Sequence, residues 1–110
     1  MRACTIVAAA ELPYARVLAD SLGSTRLTAL VLDDPGAALR GDEPFDVVRP
    51  GDLEGVEPWR LLGRSQRAAT RYLEPRLLAH LGEAAVLLAA DVLVLEPLAA
   101  LPGDYVTLVP

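Results

Sequence analysis

The side chains in this sequence that could do chemistry are mostly carboxylates and guanidinium groups. Asp33 and Asp34 follow the apolar run LTALVL, and Asp91 follows AVLLAA. A carboxylate at such a strand end can take a ribose hydroxyl. Asp91, a hard oxygen donor, can also ligate a divalent cation. Each has a plainer use as well. Asp33-Asp34-Pro35-Gly36 is a strong turn, and an Asp at a strand end bonds nearby backbone N–H groups. Thr5 and Ile6, inside the first apolar run, can offer backbone groups to a base or serve only as core β residues. Arg60, Arg64, Arg67 and Arg71 are spaced 4, 3 and 4 and make one stripe if their segment is a single helix. Such a stripe suits an anionic ligand or an acidic partner, and equally a solvated face. Arg16 and Asp20 form a surface i,i+4 pair. Trp59 is either a core anchor or an exposed contact residue of a paired domain. His80 falls near a helix C-terminus, where the dipole favours its charged form, and it has no partner nearby in sequence. Cys4 lies in an apolar run and reads as a buried, inert thiol. One Cys and one His are too few for a structural zinc site.

The elements that must position these residues follow from hydrophobic patterning. Arg2 to Ala9 is short, apolar and partly β-branched, as a buried strand is. Glu11 to Leu22 reads as a helix, with Pro13 in its first turn, Glu11 at the positive end of its dipole and Gly23 as its stop. Leu27 to Leu32 is a second strand, Ala37 to Arg40 one helical turn, and Phe45 to Val48 a short third strand. Pro58 opens a long helix to about Leu73. Pro75 breaks or kinks it, and a second piece, Arg76 to Leu81, ends at Gly82. Ala85 to Ala90 is the most buried-looking strand, Val92 to Leu95 a short extended piece, and Tyr105 to Val109 the last strand. Strands alternating with helices predict a parallel sheet covered on both faces. Right-handed crossovers then give a three-layer α/β/α, Rossmann-like half-domain of four or five strands, in order about 3-2-1-4.

Composition narrows the classes. A chain of 110 residues makes one domain, and 53% hydrophobic residues exclude disorder. The net charge of −5 argues against nucleic-acid binding, although all ten basic residues are Arg. Met1 to Ala10 loosely resembles a signal peptide, but its apolar run is short and fits a first strand. Asp91, Glu96 and Pro97 interrupt the apolar stretch Ala84 to Leu101, and a central Asp costs about 3 kcal/mol to insert in a bilayer. The expectation is a cytoplasmic protein with no membrane span.

The order and wording of these segments resemble the front part of bacterial GT-A glycosyltransferases related to family 8. ACTIVAAAELPYARVLADSL (residues 3–22) is similar to their opening strand and YLPYARVLA helix. LTALVLDD (27–34) and FDVVRPGDL (45–53) are similar to their second and third strands. TRYLEPRLLAHL (70–81) resembles their ALKPWLLRHLL helix. AVLLAADVLVLEPLAAL (85–101) resembles VLYLDPDIRVFAPL, which carries the metal-binding Asp-X-Asp, and YVTLVP (105–110) resembles the strand that follows. The resemblance spans nearly the whole chain but reaches only the front of the family's catalytic domain. The acceptor half and a later metal ligand have no counterpart.

That resemblance implies a nucleotide-sugar site with a divalent cation at Asp-X-Asp, Asp91 being the metal residue, and with Thr5, Ile6, Asp33 and Asp91 as nucleotide contacts. The departures are equally specific. The first Asp position is Ala89, and the polar pair after the first strand is Ala9 and Ala10. The Tyr position is Glu11, and the Lys before the helix proline is Glu74. Leaving-group charge on a nucleoside diphosphate needs a held cation, and one carboxylate holds Mg²⁺ or Mn²⁺ far more weakly than two. The expectation is a catalytically inactive module for binding or assembly, with no catalytic residues and no resident cofactor, acting as a homo-oligomer (a two-fold dimer) or on a partner protein. The alternative is the nucleotide-sugar-binding segment of an active transferase that needs a further C-terminal part or partner chain, with Mn²⁺ or Mg²⁺ as cofactor.

Overall fold

The computed structural model describes residues 2–61, 63–82, 85–89 and 105–108. Five strands, β1 (Arg2–Val7), β2 (Leu27–Val31), β3 (Asp46–Val48), β4 (Ala85–Leu88) and β5 (Tyr105–Leu108), form one sheet in the order β3-β2-β1-β4-β5. Every pairing is parallel. The predicted 3-2-1-4 order is therefore present, with β5 added beyond β4. Helices join β1 to β2 and β3 to β4, and strands joined in that way return parallel.

Side chains alternate across the pleat, so each central strand feeds two cores. Ala3, Val7, Leu27, Ala29, Val31, Val86 and Leu88 pack with helix α1 (Leu12–Ser21), through its Leu12, Ala15, Leu18 and Ala19. Cys4, Leu30, Ala85 and Leu87 pack on the other face with helix α2 (Gln66–Leu81), through Ala69, Leu73, Leu77 and Leu81. The helices thus cover opposite faces, which makes the three layers. Full burial of one such leucine stabilises the fold by about 1.5–3 kcal/mol.

α1 begins one residue later than the sequence suggests, because Glu11 closes a 3-10 turn, Ala9–Glu11, ahead of it. The single turn expected after β2 is a 3-10 turn at Gly36–Ala38. The long helix from Pro58 does not exist. A 3-10 turn, Pro58–Leu61, is followed by Gly63 at φ +69°, and α2 starts at Gln66. Ser65 is the N-cap, and its Oγ accepts a hydrogen bond from Ala68 N at 3.2 Å.

Pro75 does not break α2 but sits inside it. Leu73 and Leu77, both fully buried, hold the segments on either side of it to the sheet. Arg71 and Pro75 lie on the exposed face, where the carbonyl freed by the missing N–H is not buried in the core. Arg76 Nη1 donates to Tyr72 O at 2.7 Å, adding a side-chain bond within the same turn. Gly82, at φ +68°, ends the helix in the left-handed conformation that favours glycine. The predicted extended piece Val92 to Leu95 lies outside the described residues. Among the described residues no helix is long and apolar enough to cross a membrane.

Candidate functional site

In a sheet of this order the ligand crevice lies beyond the strand C-termini, where the connection direction reverses, between β1 and β4. β1 pairs with β2 as far as Val7↔Val31, but with β4 only from Arg2↔Ala85 to Cys4↔Leu87. Thr5 and Val7 are fully buried at this seam. Ala89, half-buried, follows directly on the end of β4. An opening of about 260 Å³ lies beyond β1 and β2, between Asp33 and Leu32 on one side and Leu61, Arg64, Gln66 and Ala69 on the other, with Ala8 at its edge.

The polar groups around this edge are largely engaged with one another. Asp33 Oδ1 accepts from Ala9 N at 2.6 Å, tying the end of β2 to the end of β1. The Asp33 carbonyl accepts from Arg49 Nη1 at 2.7 Å. Glu11 Oε1 accepts from Ala8 N at 2.9 Å and from Gln66 Nε2 at 2.5 Å, so one carboxylate joins the β1 loop to the first residue of α2. Asp34 Oδ1 accepts from Gly36 N at 3.1 Å, the bond of an Asx turn. Charge-assisted bonds of this kind are roughly twice as strong as neutral ones. A ligand would have to displace them.

The nucleotide contacts implied by the resemblance fall in different layers. Thr5 is fully buried on the α1 face of β1, and its Oγ1 has no hydrogen-bond partner among the described residues. Ile6 is half-buried and packs on the α2 side. Asp33 is exposed at the strand end, and Asp91 lies outside the described residues. The side chains of Thr5, Ile6 and Asp33 therefore do not converge. Among the described residues no three His, Cys, Asp or Glu side chains come together as a metal site. A divalent cation at the tip of β4 would find a methyl group at Ala89 in place of an oxygen, so the described residues do not fit one.

The four arginines do not form one stripe. Arg60 is held in the 3-10 turn, where its Nε pairs with Glu57 Oε2 at 2.7 Å and its guanidinium lies 4.7 Å from the Trp59 ring centre. Arg64 turns toward Tyr72, at 5.9 Å from that ring, while Arg76 covers it at 3.9 Å. Arg67 and Arg71 remain as an exposed i,i+4 pair on α2. Trp59 is 63% exposed, so it is not a core anchor. Arg16 does not pair with Asp20. Its Nε and Nη2 grip Glu43 at 2.8 and 2.6 Å, and Nη2 also reaches Ala38 O. The geometry explains the preference: a planar fork matches a carboxylate bidentately, and Glu43 is nearly buried while Asp20 faces solvent. That fork holds the Glu43 carboxyl below its ordinary pKa.

Burial, together with the negative charge of Glu74, pushes the Cys4 thiol up to about 12, so it stays protonated and unreactive. His80 is exposed in the last turn of α2. The sequence does not reveal the roles of Gln66 and Arg49 at the strand edge. Gln66 meets Glu11 across 55 positions, and no local spacing encodes such a contact. No family model, curated protein or solved structure matches this chain significantly.

Proposed function

We propose that this chain is a GT-A-like domain that has lost sugar-transfer chemistry and acts as a module for binding or assembly. One observation supports the reading: the described carboxylates at the ends of β1 and β2 are spent on the protein itself. Asp33 and Glu11 fasten β1 to β2 and to α2 instead of facing a ligand. A nucleoside diphosphate leaving group needs a held cation, and Ala89 stands where the resemblance expects its first oxygen ligand. The opening of about 260 Å³ is also below the ~300–1,000 Å³ usual for ligand pockets.

A second reading is favoured by the strand order, which puts the switch point at which such sheets bind ligands between β1 and β4. On that reading the chain is the nucleotide-sugar-binding segment of an active transferase, completed by a further part or partner.

The test is incubation of the purified chain with UDP-glucose or UDP-galactose and Mn²⁺, following UDP release and thermal melting. The expected outcome is no UDP release and an unchanged melting temperature at millimolar nucleotide. Ligand binding to the folded state must raise the melting point, so a rise with UDP and Mn²⁺ favours the second reading. Release of UDP overturns the first.

A further inference from the structure

Charge is unevenly distributed along this chain. Residues 33–54 hold seven carboxylates against Arg40 and Arg49, whereas residues 60–76 hold five arginines against Glu74 alone. The fold sends these segments to different places. Arg16 on α1 grips Glu43, which fastens the acidic connection between β2 and β3 to the α1 layer. The arginine-rich segment runs into α2, on the opposite face of the sheet.

The outer face of each helix is unpartnered in the described chain. Tyr14, Val17 and Asp20 recur at intervals of three on the solvent side of α1. Tyr14 is 57% and Val17 60% exposed, unusual for large apolar groups. Asp42, also exposed, is next in the chain to Glu43, which Arg16 of α1 grips, and so borders the same face. On α2, Arg67 and Arg71 are exposed and neither has an ion pair among the described residues. An acidic face with an apolar centre thus lies on one side of the sheet, and a cationic face on the other.

We infer that the Arg67/Arg71 face of α2 docks on the Tyr14–Val17–Asp20 face of α1, with Asp42 at its border, in a second copy of this chain. The two faces lie on opposite sides of one molecule, so a single two-fold contact cannot satisfy both. The contact is heterologous and runs head to tail. Arg stems cover Tyr14 and Val17 while their forks reach the carboxylates. A nucleic acid is the weaker candidate for the α2 face, because the chain as a whole carries −5 and repels a polyanion. This inference rests on the assembly reading above and names its partner. Its test contains no nucleotide, so the two fail independently.

One helix face is a small contact, below about 1,200 Å² and therefore weak. Light scattering and sedimentation are run up to millimolar chain. Mass above the 11.7 kDa monomer is expected to grow with concentration near 20 mM salt and to be lost near 500 mM, where the Debye length is only about 4 Å. Arg67→Glu/Arg71→Glu and Asp20→Arg/Asp42→Arg are each expected to stay monomeric, with unchanged circular dichroism. Mixing the two variants restores association, because each supplies the charge that the other lost. Both variants keep a negative net charge, so restoration requires local complementarity. Wild-type chain that stays monomeric at low salt overturns the inference. So does association that persists in either variant alone. A mixture that fails to associate while both variants remain folded overturns it as well.

Discussion

Arg16 has one carboxylate within reach by sequence, Asp20, and a second, Glu43, that only the fold brings to it. Asp20 is one helical turn away, but choosing it would leave the nearly buried Glu43 with only the Arg40 N–H bond at 3.1 Å, which is costlier than leaving Asp20 in water. The pair therefore makes a pH-dependent contribution with a definite sign. Glu43 is held below its ordinary value of 4.5, so the stability it adds is complete above that value and is lost as pH falls through the lowered one. Glu43→Gln keeps the shape and removes the charge. It is expected to lower the melting temperature at pH 7. The gap from wild type should close as both are titrated down through the carboxylate range, which melting curves at stepped pH will check. A gap that stays constant with pH would mean the ion pair adds nothing. The same competition for partners acts at the strand edge, where Asp33 and Glu11 are bound by backbone N–H groups and Gln66.

At the scale of elements, α2 is the informative case. Its buried stripe, Ala69-Leu73-Leu77-Leu81, advances by four and keeps one side of the helix on the sheet through the proline. Tertiary burial of Leu73 and Leu77, several kcal/mol together, outweighs the local cost of Pro75, about 3 kcal/mol. Pro75→Ala restores the missing N–H for the Arg71 carbonyl. It should stabilise the chain by about 1 kcal/mol, less than the full cost because alanine also frees the unfolded chain. Denaturant melts measure this directly, and a destabilised variant would show that the proline geometry is itself required. The N-terminal part of the expected helix failed for a complementary reason. Gly63, at φ +69°, and the Ser65 cap fix the start of α2, although Leu61 ahead of them packs on the same core.

For the whole molecule, burial and charge are arranged along one axis, perpendicular to the sheet. β1 and β2 lie inside the sheet between two helical layers, and β3 lies at its edge with Asp46 and Val47 exposed. Hydrogen exchange should therefore release β3 amides first and the amides of β1 and β2 last, near the rate of global unfolding. Mass spectrometry or NMR reads that order. Early loss of β1 would mean that the two layers open separately. Asp20 and Asp42 by α1 and Arg67 and Arg71 on α2 are the opposed charges on which the head-to-tail proposal rests.

The sequence was sufficient for the sheet. Strands buried on both faces need continuous apolar runs, so LTALVL and AVLLAA stand out without knowledge of their partners, and alternation with helices dictates parallel order. Asp34 was legible for the same local reason, since its Asx turn closes within two residues. What the tertiary structure alone decided depends on groups far apart in the chain. These decisions are the choice of Glu43 by Arg16, the survival of α2 across Pro75, the dispersal of four evenly spaced arginines, and the closure of the strand edge by Glu11, Asp33 and Gln66. Local spacing can propose such contacts, but the cost of burying an unpaired group is set only when the layers meet.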